Sequence, residues 1–352
     1  MNHQELLSEI VRRIVQQEGS DIHLAESRHP SIRVNGELTA LTDLPVLGQT
    51  DMEAFFDIFL TDPKKKEFLD RKEVDYSYQH ALGRFRGNGF VQQGRNGIVL
   101  RLIPDEIKTL RELNIPERLE QFAEVKQGFF LVVGPVGQGK TTTLAALIDK
   151  INADRAEHII TIENPIEYLY KPKRSIVDQR EVGIDTNAFN TALVSTLRQD
   201  VDVILVGEMR DQDTMSAALT AAETGHLVFS TLHTNNASQT IDRIIDTFPA
   251  GQQNQIRLQL ASVLTGVFSQ RLIPRISGGM IPAFELMINN NAVSNLIREA
   301  RTHEIDTVIE TGSDSGMIDM NRSLAELVRR GEISFESARI QSLNPQMLER
   351  LI

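Results

Sequence analysis

Residues 129–141 read Phe-Phe-Leu-Val-Val-Gly-Pro-Val-Gly-Gln-Gly-Lys-Thr, an apolar run that passes directly into Gly134-x-x-x-x-Gly139-Lys140-Thr141. This is the full phosphate-binding loop pattern, placed as the pattern requires between an expected strand and an expected helix from Leu144 to Ile151. The chemistry follows from the residue types. Backbone N–H groups of Gly134, Pro135, Val136, Gly137, Gln138 and Gly139 (all but the proline) can turn onto phosphates because glycine permits the required dihedrals. The helix start adds partial positive charge at the same place. Lys140 is expected on the β- and γ-phosphates, Thr141 on Mg²⁺, and Thr142 beside them, so ATP and Mg²⁺ are the expected cofactors.

Acids at strand ends supply the next step. Residues 203–211, Val-Ile-Leu-Val-Gly-Glu-Met-Arg-Asp, read as an apolar strand ending in an acid, Glu208, where a nucleoside triphosphatase holds Mg²⁺ directly or through a water. A second acidic end, Ile162-Glu163-Asn164-Pro165-Ile166-Glu167, offers Glu163 or Glu167 as the base that deprotonates water. The alternative is that Glu163 or Asn164 caps a turn and Glu167 is a surface acid. His226 and His233 bracket a short apolar strand. Without nearby acids or cysteines they make a poor metal site, which leaves phosphate sensing, coupling to a neighbour, or plain structural duty. Arg84, Arg86, Arg95 and Arg101 are dense for an acidic protein. Such a run is ordinarily a solvated sheet face; the functional alternative is an arginine reaching a γ-phosphate in another subunit.

These groups need scaffolding. At 352 residues two domains are expected. In the first, a helix carrying Leu6, Leu7, Ile10 and Ile14 precedes short strands at Asp21–Leu24 and Ile32–Val34, with a hairpin signal at Asn35-Gly36. Helices are expected over 51–60 and 63–69, and strands over 74–78, 84–91 and 98–102. Ile103-Pro104 closes this α+β domain, 1–103, and 104–115 reads as a linker with a proline near each end. From Pro116 strand and helix alternate, and the compact apolar runs 129–133, 158–162, 203–206 and 227–231 suit parallel strands buried on both faces. This α/β core extends over 116–290, and helical periodicity is read for 252–272, 292–301, 305–310 and 321–330, so that 291–352 is a helical region.

Composition narrows the class. Hydrophobic content of 41% and charged content of 24% are ordinary for a soluble protein. No apolar run approaches bilayer length and no signal-peptide pattern opens the chain, so a cytoplasmic location is expected, with any membrane association peripheral. With no cysteine, disulfides and thiolate zinc sites are excluded. A net charge of −11 disfavours a nucleic-acid partner, because sequence-independent binding needs Lys and Arg to displace counterions.

Together these motifs resemble the PilT-type retraction ATPases of the type IV pilus, within the secretion-ATPase superfamily. The resemblance rests on Ser20–Leu24, Ile32–Gly36, Arg84-Phe-Arg86, the phosphate loop, Ile162–Glu167, Leu197-Arg-Gln-Asp200, Ile204–Asp211, Thr224–Asn236 and Ile241–Asp246. It implies a PAS-like N-terminal domain, a RecA-like ATPase domain, a homohexamer, and ATP held between both domains and the neighbouring subunit. It implies Glu167 as base, Glu208 as metal-linked acid, His226 and His233 as a histidine box, and Arg86 and Arg101 as phosphate contacts. Partners implied are an inner-membrane platform protein, at the cytoplasmic face, and other pilus motors. Some positions depart from the pattern: Asn164 for the usual Asp, Gln138 for a small residue, Gln127 for Arg, and Ser294 for Arg in Ala292–Glu299.

The reading is a Mg-ATP-driven motor for pilus disassembly. A PilU-like accessory motor and a ring-forming ATP-binding regulator with little turnover are the alternatives. Assembly ATPases generally carry a four-cysteine zinc module that this chain lacks, and a DNA translocase fits poorly with the acidic balance.

Overall fold

The computed structural model describes residues 2–34, 36–103 and 106–352 as a mixed α/β protein with two sheets, grouped in two compact units. The expected turn residue Asn35 and the closing Pro104 lie outside the described residues, as does Asp105 in the expected linker. The first unit holds residues 1–106 together with 163–169 and 180–188; the second holds 107–162, 170–179 and 189–352.

In the first unit, helix α1 (His3–Gln16) starts at a capping box in which Asn2 and Glu5 satisfy each other's backbone amides. Its apolar stripe, Leu6, Leu7, Ile10, Val11 and Ile14, is buried as its spacing requires. Strands β1 (Asp21–Ala25), β2 (Ser31–Val34) and β3 (Glu37–Ala40) follow, then α2 (Gln49–Phe59) and α3 (Asp62–Arg71). Strands β4 (Glu73–His80), β5 (Gly83–Gln92) and β6 (Arg95–Ile103) complete an antiparallel sheet of order β3-β2-β1-β6-β5-β4. The period-two alternation sorts its faces. Ile22, Leu24, Ile32, Phe85, Ile98 and Leu100 pack with the helices, each worth about 1.5–3 kcal/mol if fully buried. The other face keeps the polar residues: register puts Arg33, Asp21, Arg101, Arg86 and Ser77 side by side across β2, β1, β6, β5 and β4.

The second unit opens with α4 (Gln121–Glu124), β7 (Gly128–Val133), α5 (Lys140–Asp154), β8 (His158–Glu163), β9 (Ile176–Glu181), α6 (Phe189–Thr196), β10 (Val203–Val206), α7 (Gln212–Glu223) and β11 (Leu227–Leu232). It continues through α8 (Ala237–Asp246), α9 (Ala250–Val263), β12 (Leu264–Pro274), β13 (Met280–Ile288) and α10 (Asn291–Arg298). The remaining helices are α11 (Ile305–Thr311), α12 (Met320–Arg329), α13 (Phe335–Gln341) and α14 (Pro345–Leu351). The sheet order is β13-β12-β7-β11-β10-β8-β9, with β12, β7, β11, β10 and β8 parallel. Every residue of β7, β10 and β11 is buried, as two-sided coverage requires.

One expectation fails. The helix read over 252–272 ends at Val263, and Leu264–Pro274 is a strand between β7 and β13. Leu264 turns to extended backbone directly after Val263, and the glycine nearby, Gly266, lies two residues inside the strand at a register shift against β7 rather than at the helix end. Because β12 is buried on both faces its apolar run does not alternate, and it reads as a continuation of α9. Its partner β13 was likewise not expected.

Candidate nucleotide site

The phosphate loop leaves the C-terminal end of β7 and enters α5. Gly137 and Gly139 both sit at φ 78°, the left-handed conformation that lets successive amides face one concavity. At Gly134 the constraint is space: a Cβ there would stand 2.4 Å from the Gln270 carbonyl oxygen on β12. The N-terminus of α5 carries no side-chain hydrogen bond on its cap, which leaves its first amides for an anion. Loop shape and helix start therefore fit a polyphosphate.

Lys140, only 7% exposed, donates to the carbonyls of Gly134 (2.7 Å) and Pro135 (2.8 Å) and to His233 Nδ1 (3.1 Å). Burial pulls its pKa down to about 8, with the charge of Glu208 acting in the opposite direction. An ammonium can only donate, so Nδ1 of His233 is the acceptor and a neutral ring carries its proton on Nε2. That nitrogen lies 3.7 Å from Glu208 Oε2. Burial, then the Lys140 charge, hold the His233 pKa below its ordinary value, against the pull of Glu208. The strand order explains the meeting. Lys140, His233 and Glu208 follow the C-terminal ends of β7, β11 and β10, three adjacent parallel strands, where α/β sheets bind ligands. Arg210 Nη2 closes the far side of Glu208 at 2.9 Å.

Mg²⁺ keeps several waters and is usually bound through one or two carboxylates plus substrate phosphates. Among the described residues no group of three or more His, Asp or Glu could hold a metal unaided. Thr141 in the first turn of α5 and Glu208 carry a hydroxyl and a carboxylate that could take part in such a shared site.

The departure at Gln138 has a structural use: its Oε1 accepts from the Leu272 amide at 2.6 Å, tying the loop to β12. Beside it Gln270 Oε1 accepts from Thr143 Oγ1 at 2.6 Å. Sequence reasoning passed over Gln270 because it lies in the stretch read as helix.

His226 is placed apart from His233. It stands before β11, at the opposite end of that strand, with Nδ1 2.9 Å from the Ala221 carbonyl at the end of α7 and 3.3 Å from Thr224 Oγ1. Within this chain it caps a helix; only His233 lies beside the phosphate loop.

The remaining candidates belong to the first unit. Arg86 Nη1 donates to Glu167 Oε1 at 3.0 Å. Arg101 Nε donates to Asp21 Oδ1 at 2.9 Å and remains largely exposed. Arg84 points its Nε and Nη2 at the Ile166 carbonyl. Arg95 stands at the tip of the β5–β6 hairpin, paired in register with Gln92. Glu163 is buried at 6% exposure and its charge bears on Arg84, whereas Glu167 is the more open of the two acids at 23%. Glu181, which sequence reasoning did not single out, accepts from Ser77 Oγ and the Ile166 amide. The available signal was an acid ending a short strand just before Gly183, which sits at φ 86°.

Residues 81–330 match the family described as Type II/IV secretion system protein. The chain is 43% identical to the type IV pilus retraction ATPase PilT of Pseudomonas aeruginosa, over 97% of this chain and 99% of that protein. It is 44% identical to a twitching motility protein of Neisseria gonorrhoeae, over 91% of this chain and 86% of that one. A crystal structure of the pilus retraction motor PilT with bound ADP superposes with a TM-score of 0.89 at 43% identity, covering 97% of this chain and 98% of that chain. The phosphate loop, the sheet that presents it and these similarities have one reading: the chain belongs to the Type II/IV secretion system protein family.

Proposed function

We infer that this protein is an ATP-hydrolysing motor of type IV pilus retraction. The observation that carries the ATPase reading is the row Lys140–His233–Glu208 along the C-terminal edge of the parallel sheet, next to an uncapped helix start. The similarity to PilT over nearly the whole of both chains supports retraction as the work done.

In this assignment the amides of residues 136–139 and the Lys140 ammonium hold the phosphates. Mg²⁺, when bound, neutralises charge developing on the phosphate oxygens. Thr141 and Glu208 would hold that ion, and His233 accepts from Lys140 at Nδ1 while its Nε2 lies 3.7 Å from Glu208 Oε2. Glu167 takes the proton of the attacking water, and Arg86 and Arg101 register the γ-phosphate. Glu163, buried beside Arg84, contributes charge rather than proton transfer. Nucleotide turnover then biases a two-state arrangement of a hexamer, which converts hydrolysis into movement. The platform protein of the inner membrane and other pilus motors are the partners this role needs. No described helix is long and apolar enough to cross a membrane, so attachment to that platform through protein contacts suits the chain.

Steady-state phosphate release with Mg-ATP tests the assignment, on wild-type protein of known mass by light scattering, beside Lys140→Ala and Glu167→Gln. Turnover by a hexamer that either substitution lowers at least about a hundredfold is the expected result. Wild-type-like turnover in Glu167→Gln would remove the base from that residue.

A further inference from the structure

We propose that Glu181 and Arg84 are positioning residues for Glu167, holding the two peptide groups that flank Ile166, one by its N–H and the other by its C=O, so that the adjoining carboxylate is held in one place. The inference rests on the reading of Glu167 as the base. Ile166 precedes Glu167 directly. Its carbonyl accepts from Arg84 Nε at 3.1 Å and Nη2 at 3.0 Å, and its amide donates to Glu181 Oε2 at 3.0 Å. The two clamp arms face each other, with Arg84 Nη2 3.8 Å from Glu181 Oε2. A fork of two guanidinium donors on one carbonyl fixes direction as well as distance.

The arms are themselves anchored. Glu181 has a side chain 4% exposed, and Ser77 Oγ on β4 donates to its Oε2 at 2.8 Å. Its own amide donates to Asp185 Oδ2 at 2.7 Å, and the Val182 amide donates to the Glu163 carbonyl at 2.9 Å. Arg84, with a side chain 12% exposed, projects from the same face of β5 as Arg86, two residues on. Arg86 reaches Glu167 Oε1 itself through Nη1. Thus one strand supplies one arginine to the backbone before the base and another to its carboxylate. A buried carboxylate beside a buried guanidinium is a costly arrangement, and with Oε1 of Glu181 lacking a hydrogen-bond partner among the described residues its fixed contacts are those of Oε2. Here the contacts converge on the backbone of one residue, Ile166, next to the reacting side chain. Misplacement of a catalytic group by about 1 Å can cost on the order of a hundredfold in rate, which is the effect such a clamp prevents.

The test compares Glu181→Ala, Glu181→Gln and Arg84→Lys with Glu167→Gln in the full-length protein, by kcat and KM for Mg-ATP, nucleotide affinity and thermal melting. Glu181→Ala is expected to lower kcat roughly ten- to a hundredfold with KM and affinity within about twofold. Glu181→Gln, which keeps an oxygen for both the Ile166 amide and the Ser77 hydroxyl, is expected to recover most of that loss. Arg84→Lys keeps the charge but not the fork, and is expected to fall between them even if Glu181→Ala does not fold. Added to Glu167→Gln, Glu181→Ala is expected to lower the residual turnover no further. A kcat within twofold of wild type in both Glu181→Ala and Arg84→Lys would overturn the clamp, as would a fall in kcat accompanied by an equal loss of nucleotide affinity. Full turnover in Glu167→Gln would instead overturn the base assignment, so the two failures are distinct.

Discussion

Arg86 on β5 and Glu167, 81 positions later in the chain, form an ion pair of 3.0 Å in the first unit. Sequence reasoning gave these two residues separate tasks, one as base and one as phosphate contact. Only Nη1 of Arg86 is engaged with Glu167, so other donors of the guanidinium remain for a further anionic partner. Arg86 is 44% exposed, and an exposed pair of this kind contributes at most about 1 kcal/mol to stability.

Arg86→Ala is therefore expected to leave the melting temperature nearly unchanged while lowering kcat more than tenfold. Combined with Glu167→Gln, it is expected to cost much less than the product of the two single effects, because the residues act on one step. Phosphate release and differential scanning fluorimetry on the four proteins of the cycle measure both. Multiplicative losses would show that the pair has no joint role.

How far this was legible depends on the range of each interaction. The phosphate loop, Glu208 and the strands behind them are local patterns, and the four apolar runs read as parallel strands are the observed β7, β8, β10 and β11. His226 and His233 look equivalent in sequence; they differ only because a strand separates them and presents one end to the loop. Glu181 carried only the weak signal of an acid at a strand end, because its contacts are with Ser77, 104 positions away, and with a backbone amide rather than a side chain. Strand β12 was hidden by burial on both faces, which removes the alternation that marks a strand.

Gln138 was noted as a departure from a small residue, and the structure gives it the Leu272 amide. Gln138→Ala would leave that amide without its acceptor, at a cost of about 1–3 kcal/mol, while the loop still presents its backbone to phosphate. A lower melting temperature with nucleotide affinity within a few-fold of wild type is expected from fluorimetry and a fluorescent-nucleotide titration. An unchanged melting temperature would mean that water replaces Gln138 at no cost.

Ser294 occupies the position of a usual arginine in the segment 292–299. It is buried at 9% exposure, and its hydroxyl lies 3.1 Å from both the Ala261 carbonyl of α9 and Asn289 Oδ1. The neighbours of α10 are thus fitted to a small donor. Ser294→Arg would need space and a partner for a buried charge, so a loss of more than about 2 kcal/mol in urea unfolding is expected. A variant as stable as wild type would place the arginine head in solvent and make its effect on retraction directly measurable.

Glu285 on β13 bears on pH. It is fully buried, accepts from the Ala237 amide at the start of α8 (2.9 Å) and from Ser269 Oγ (3.3 Å), and is influenced by Asp306 and Asp319. Arg271 lies near enough to feel its charge. Burial raises its pKa to about 7 from an ordinary value of 4.5, the two aspartates adding to the rise and the amide and hydroxyl opposing it. A carboxyl raised in this way binds its proton more tightly folded than unfolded. Its stabilising contribution is therefore complete below about 4.5 and is lost as pH rises through about 7. Glu285→Gln keeps an acceptor for the Ala237 amide but cannot ionise, so the variant escapes that loss. Relative to wild type it is expected to gain on the order of 1–3 kcal/mol between about pH 5 and pH 8, read from paired urea denaturations at each pH. A difference between the two proteins that stays constant across that range would mean that Glu285 does not change its protonation on unfolding.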